Sequence, residues 1–287
     1  MTTADMQLVI TARTARSARP QRIRQSHVDW VDVRMSDRDF AILETVNRLR
    51  LINSRQLERL LFSTLANPHS RSVARGRVLQ RLISWGVLAP LPRRIGGSGR
   101  GSAPLVLALD TTGRRLLTDR QMGAGSPKPQ VRFPGPPGVR TVQHTLAIAE
   151  LYTCLTEQTR GTALQLQTFE TEPACWWPDG LGGHLKPDAL AVLRRPKRRD
   201  FWWIEMDMAT ESLATIRRKA LTYLDFLKRG QEGPRTVTPW VLFAAPDERR
   251  AALIRQVIGS LPSDHEELLR ATTHAYCATY MTQVLRE

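Results

Sequence analysis

After Ser36, apolar side chains recur every three to four residues at Phe40, Ile42, Leu43, Val46 and Leu49, the period of a helix with one buried face. Ser36 stands before them as a natural N-cap. Leu51 and Ile52 lead into Asn53 and Ser54, a second cap, after which Leu57, Leu60, Leu61 and Phe62 mark a short second helix. A third helix is expected from about Ser70 to Trp85, with Val73, Val78, Leu79, Leu82 and Ile83 on one face and Arg71, Arg75, Arg77 and Arg81 largely on others. Gly86 stops it. Val87 to Pro92 and Leu105 to Leu109 then read as two strands around Arg93, Arg94, Gly96, Gly97, Gly99, Arg100 and Gly101, and Thr111 caps a short helix through Leu117.

The pattern changes after residues 122–139, a stretch crowded with proline and glycine that reads as a linker and boundary. Val142, Leu146, Ala147, Ala149, Leu151 and Leu155 predict an amphipathic helix. Three short apolar runs follow, Leu164 to Glu170, Leu185 to Leu193 and Phe201 to Met208, each read as a strand. A helix from about Glu211 to Lys228, a strand over Pro239 to Ala244, a helix from Asp247 to Leu261 and a last strand over Thr273 to Thr279 complete an α/β layer.

At 287 residues and 41% hydrophobic content, the chain has material for about two domains with real cores. No run approaches a membrane span and the N-terminus lacks a signal-peptide core, so a cytoplasmic protein with no membrane partner is expected. Cys154, Cys175 and Cys277 are far apart and form no CxxC pair, which excludes a disulfide scaffold and argues against a zinc finger.

Charge divides the chain. Residues 1–130 carry 22 basic and 9 acidic side chains, and residues 131–287 carry 20 and 18, so +13 of the net +15 lies in the first part. Residues 51–100 hold nine arginines, no lysine and one acid, Glu58. A merely arginine-rich composition would spread the excess evenly. Its concentration reads as a nucleic-acid footprint, since guanidinium grips phosphate with two donors. Three helices followed by a basic, glycine-rich hairpin predict a winged helix-turn-helix domain over 36–121 that binds DNA. Arg71, Arg75, Arg77 and Arg81 lie on its groove-entering helix and Arg93, Arg94 and Arg100 in the wing. A nucleotide-cradling loop is disfavoured because no GK[ST] follows the glycines. Residues 1–35, with Arg13, Arg16, Arg19, Arg22 and Arg24, read as a basic flexible arm.

Residues 140–287 carry the candidate chemistry. Asp188 opens one strand, and Glu205 and Asp207 lie in another made otherwise of Trp202, Trp203, Ile204, Met206 and Met208. An ionised acid in so apolar a strand demands a partner. Residues two apart share a sheet face, and a neighbouring strand could add Asp188. Three carboxylates around a small hard cation describe a magnesium site. Structural ion pairs with Arg217, Arg218 or Lys219 are the other reading.

Pro187-Asp188, followed by a hydrophobic run ending in Glu205-x-Asp207 in this helix and strand order, resembles the PD-(D/E)xK nuclease superfamily. With the N-terminal winged helix, residues 36–260 most resemble the replication-relaxation family of plasmid and mobile-element proteins, and more distantly the MOB-C relaxases. The resemblance implies a restriction-endonuclease-like α/β domain over 140–287 in which Asp188, Glu205 and Asp207 hold Mg²⁺ or Mn²⁺. It also implies a lysine beside the attacking water and nicking of DNA at an origin. The chain departs from the pattern where Asp207 stands in place of the usual lysine. Lys219, on the next helix, is the expected substitute, with Tyr223 one turn later on the same face and Lys186 as the other candidate. Tyr223 reads either as a covalent nucleophile or as a packing tyrosine, and His144 either as an auxiliary near the metal or as a core histidine. A rival reading keeps DNA binding but makes the second half a non-catalytic dimerisation module. Another makes it a docking surface for replication or transfer proteins, anchored by Trp176, Trp177, Trp202 and Trp203.

Overall fold

A computed structural model describes residues 23–91, 103–122, 137–261 and 268–284. The fold is mixed α and β. Helix α1 (Gln25–Asp32) falls inside the stretch expected as a flexible arm, because Val28 and Val31 reach the core; Arg13, Arg16, Arg19 and Arg22 lie outside the described residues. Helix α2 (Asp37–Leu49) starts on a capping box, with Ser36 and Asp39 each satisfying the other's backbone N–H. Asn53 and Gln56 repeat the device at α3 (Ser54–Leu61). Asn67 caps α4 (Pro68–Ser84), whose Pro68 occupies a first-turn position that needs no donor.

Three strands pair antiparallel beside these helices in the order β1 (Ile52–Asn53), β3 (Val106–Leu109), β2 (Leu88–Pro90). The two-residue β1 is too short to leave a sequence period. Arg93, Arg94 and Arg100, expected in the hairpin between β2 and β3, lie outside the described residues. Helix α5 (Thr111–Met122) follows.

Helix α6 (Val139–Thr159) leads into a five-stranded sheet in the order β10 (Leu269–Thr273), β9 (Trp240–Ala245), β8 (Arg198–Met206), β7 (Ala189–Arg195), β4 (Gln165–Thr171). The pairs β4–β7 and β7–β8 are antiparallel, and β8–β9 and β9–β10 are parallel. A small hairpin of β5 (Trp177–Pro178) and β6 (His184–Leu185) stands apart. Helices α7 (Leu213–Lys228) and α8 (Glu248–Gly259) cover one face, and α6 and α9 (His274–Val284) the other. Strand β8 alternates accordingly: Trp202, Ile204 and Met206 join the α6 and α9 side, while Trp203 packs with Ile216, Tyr223 and Ile254.

The strand expected over Thr273–Thr279 is instead mostly helix. Only Thr273 ends β10, and in α9 Cys277, Ala278 and Met281 are buried at helical spacing. Packing against α6 overrides the strand preference of its threonines and tyrosines. One hydrophobic cluster runs from Val28, Ile42 and Leu57 through Ile148 and Leu151 to Trp202 and Met281, so the segments 36–121 and 140–287 meet over a shared core. Gln56 donates to Glu150 at 2.8 Å across that contact, and Arg59 bridges Glu150 and Glu157. Among the described residues, no helix is long and apolar enough to cross a membrane.

Candidate active site

Strand pairing brings Asp188 and Glu205 together. Ala189 pairs with Ile204, and Asp188, one residue before β7, donates its backbone N–H to the Ile204 carbonyl at 2.9 Å. Its carboxylate turns back over the end of β8, where Oδ2 accepts from the Met206 backbone N–H at 2.6 Å. His144 of α6 reaches the same oxygen, Nε2 to Oδ2, at 3.2 Å.

Glu205 points toward α7 and is only 4% exposed. Helix α7 supplies its partners from positions four apart. Lys219 Nζ donates to Oε2 at 3.0 Å and the Tyr223 hydroxyl donates to Oε1 at 2.6 Å. Lys219 also lies 3.1 Å from Glu211 Oε2.

Burial, reinforced by the charge of Asp188 and opposed by Lys219, pushes the Glu205 carboxyl up to about 7. Burial works against the Lys219 ammonium, but the Glu205 charge and hydrogen bond outweigh it and raise its pKa, so the lysine stays charged. Burial and the Glu205 charge raise the Tyr223 phenol well above its ordinary value, which keeps it a protonated donor. For His144 burial opposes the charged form, yet the hydrogen bond to Asp188 prevails and raises its pKa. Glu172, just beyond β4, is raised by burial and by the Asp188 charge, and Arg50 lies 3.7 Å from it.

Asp207 does not converge with the other two acids, which corrects the expected triad. Strand β8 ends at Met206, and the Asp207 carboxylate meets Arg250 of α8, with Oδ2 at 2.7 Å from Nε and Oδ1 at 3.2 Å from Nη2. Arg250 also donates to the Glu211 carbonyl at 2.7 Å. A two-pronged guanidinium satisfies a buried carboxylate fully. Lys186 is exposed and lies over the Trp176 ring at 4.7 Å. Lys219 and Arg250 therefore fill the ion-pairing role for which Arg217 and Arg218 were also candidates; both of those are exposed. Among the described residues, no group of three or more His, Cys, Asp or Glu side chains is gathered closely enough to hold a metal ion.

Sequence reasoning missed Glu172, Glu211, Arg250 and His274. His274 Nε2 lies 2.9 Å from the Asp207 carbonyl oxygen and 3.1 Å from that of Ala244, and burial lowers its pKa. None of the four carries a local signal, because each reaches the site only through packing of distant elements.

On α4 the arginines divide. Arg81 Nη2 holds both carboxylate oxygens of the buried Asp39, at 2.7 and 2.6 Å, and Arg75 pairs with Glu58 at 2.5 Å. Arg71 donates to the Ala66 carbonyl at 3.4 Å. Arg77 is exposed and has no hydrogen-bond or ion-pair partner among the described residues. Trp202 and Trp203 are buried and Trp176 and Trp177 half-buried.

A family model described as replication-relaxation matches residues 43–241, a span that takes in α4, Asp188, Glu205 and Lys219. No curated protein and no solved structure matches the chain.

Proposed function

We propose, from the premise that the chain belongs to the replication-relaxation family, that it binds DNA in plasmid or mobile-element replication or transfer and nicks it with Mg²⁺ or Mn²⁺. The first half acts as a winged helix whose α4 enters the major groove, and the second as a PD-(D/E)xK-like nuclease. One observation carries the catalytic part: Asp188, Glu205 and Lys219 meet at one end of the mixed sheet, two acids from neighbouring strands and the ammonium from the following helix.

The donor set fits a cation that keeps most of its water. Magnesium is commonly held by one or two carboxylates plus substrate phosphate, so Asp188 and Glu205 would suffice without a protein cage. Burial, reinforced by the charge of Asp188, raises the Glu205 carboxyl, and a bound cation would offset the Asp188 part and favour the ionised form. When bound, such an ion polarises a phosphoryl oxygen and lowers the pKa of water.

The chain's own groups have separate tasks. Lys219 keeps a positive charge beside the acids and stabilises negative charge developing on phosphate. Tyr223 fixes the rotamer of Glu205, and His144 with the Met206 N–H fixes Asp188. Asp207, just past the end of β8, is tied to α8 by Arg250.

A non-catalytic initiator or regulator is favoured by one observation: both oxygens of Glu205 already have partners. Incubating supercoiled plasmid with protein and Mn²⁺ separates the readings. Nicking by the wild type but not by Asp188→Ala or Glu205→Ala supports the enzyme. DNA that is shifted on a gel but stays supercoiled supports the binder.

A further inference from the structure

Gly76 lies midway along α4, and nothing within the described protein accounts for it. Glycine weakens a helix interior relative to alanine, so it is favoured where φ is positive or a neighbour comes too close for a Cβ. Gly76 has neither reason: its φ is not positive, and no described atom lies within 4 Å of where a Cβ would stand. Gly113 of α5 is the contrast. A Cβ there would collide with the Val87 carbonyl oxygen and lie 3.0 Å from Leu43 Cδ1.

The open space at Gly76 faces outward. Leu79 and Leu82 are buried on the inner side of α4, while Ser72, Val73, Arg77 and Gln80, the helical neighbours of Gly76, are exposed. The helix carries four arginines and no carboxylate; Arg75 and Arg81 are paired with Glu58 and Asp39, which leaves Arg77 as the exposed cation beside Gly76. Its exposed neighbours offer one apolar side chain, Val73, too little for packing against another protein's helix. One guanidinium unpaired among the described residues, Arg77, and the hydrogen-bonding Ser72 and Gln80 around a bare stretch of backbone suit a polyanion that approaches to backbone distance. A helix of this length spans about 25 Å, and the major groove, about 12 Å wide, admits one.

We infer that Gly76 is the point of closest approach of α4 to double-stranded DNA, where the missing side chain lets the helix backbone settle into the major groove. Ser72, Val73, Arg77 and Gln80 then meet base edges and phosphates around it. This rests on the DNA-binding reading above and adds a specificity-determining position to it.

The test uses the full chain and a pool of randomised duplexes about three helical turns long, from which the wild type selects. Gly76→Ala then raises the thermal midpoint by roughly 2 °C. It weakens binding to the selected duplex about tenfold at fixed salt. The slope of log affinity against log salt stays unchanged, because no phosphate contact is removed. Gly76→Leu weakens binding further. Variants that bind as tightly as the wild type overturn the inference, and so does a wild type that shifts duplexes without enriching any sequence; DNA binding itself survives both outcomes. Self-association broken by Gly76→Ala while DNA binding persists assigns the face to a second copy and also overturns it. A wild type that shifts no duplex removes the DNA-binding reading and this inference together.

Discussion

Tyr223 donates its phenolic hydrogen to Glu205 Oε1 at 2.6 Å, one helical turn beyond the lysine that holds the other carboxylate oxygen. The spacing on α7 is local, but its alignment with a β8 carboxylate is tertiary. It converts a buried acid, costly by itself, into the centre of a hydrogen-bonded group.

That group makes folding stability depend on pH. The Glu205 carboxyl, pushed up to about 7 from an ordinary 4.5, retains in the folded chain a proton that the unfolded chain releases. Its contribution therefore falls as pH rises from 4.5 to about 7 and is level above that. The loss is on the order of 3 kcal/mol. Urea unfolding of wild type and Glu205→Gln across this window should show a shallower fall for the variant; parallel curves would count against the burial of an ionising Glu205.

His144 behaves in the same direction over a higher window. Its raised pKa means that the pairing with Asp188 contributes fully below 6.5 and is lost as pH rises through the folded-state value. His144→Gln should be less stable than wild type at pH 6 and nearly equal to it at pH 9, measured by thermal unfolding. An equal deficit at both values would assign the residue to packing alone.

Asp207 should behave as structure, not as a metal ligand. Its side chain is 1% exposed and that of Arg250 13%. Removing one partner strands the other, so Asp207→Ala costs about 3–5 kcal/mol. Asp207→Leu with Arg250→Met together costs markedly less. Calorimetric titration of that double variant with Mn²⁺ should give the wild-type affinity, and a lost metal signal would return Asp207 to the site.

The arginines of α4 should separate by task. Arg77→Ala should leave stability unchanged, weaken DNA binding uniformly across sequences and lower the salt slope by about 1. Arg81→Ala should instead lose about 1–2 kcal/mol of stability, since it holds the buried Asp39 at the start of α2. Unfolding and gel-shift measurements on both variants check this, and the reverse pattern would exchange their roles.

Much of the fold was legible because helices and strands carry their own periods. The helices α2, α3, α4, α6, α7 and α8 and the strands β4, β7, β8 and β9 all fall on stretches predicted from spacing. Helix α1 was hidden in a basic stretch with only Val28 and Val31 to mark it. Helix α9 departs from the strand predicted there because threonine and tyrosine favour strands wherever packing does not decide.

The sequence by itself determined the uneven charge, the order of elements and the conflict of acids placed in an apolar strand, because each is a property of neighbouring residues. It also singled out Lys219 and Tyr223 together, since four residues make one turn. Only the tertiary structure decided which acid met which partner. Arg250 lies 43 positions from Asp207 and Arg81 42 from Asp39, and each pair forms through the packing of separate elements, which no local period encodes. One bidentate contact drew Asp207 away from the other acids, because a buried carboxylate takes the strongest partner that packing brings within reach.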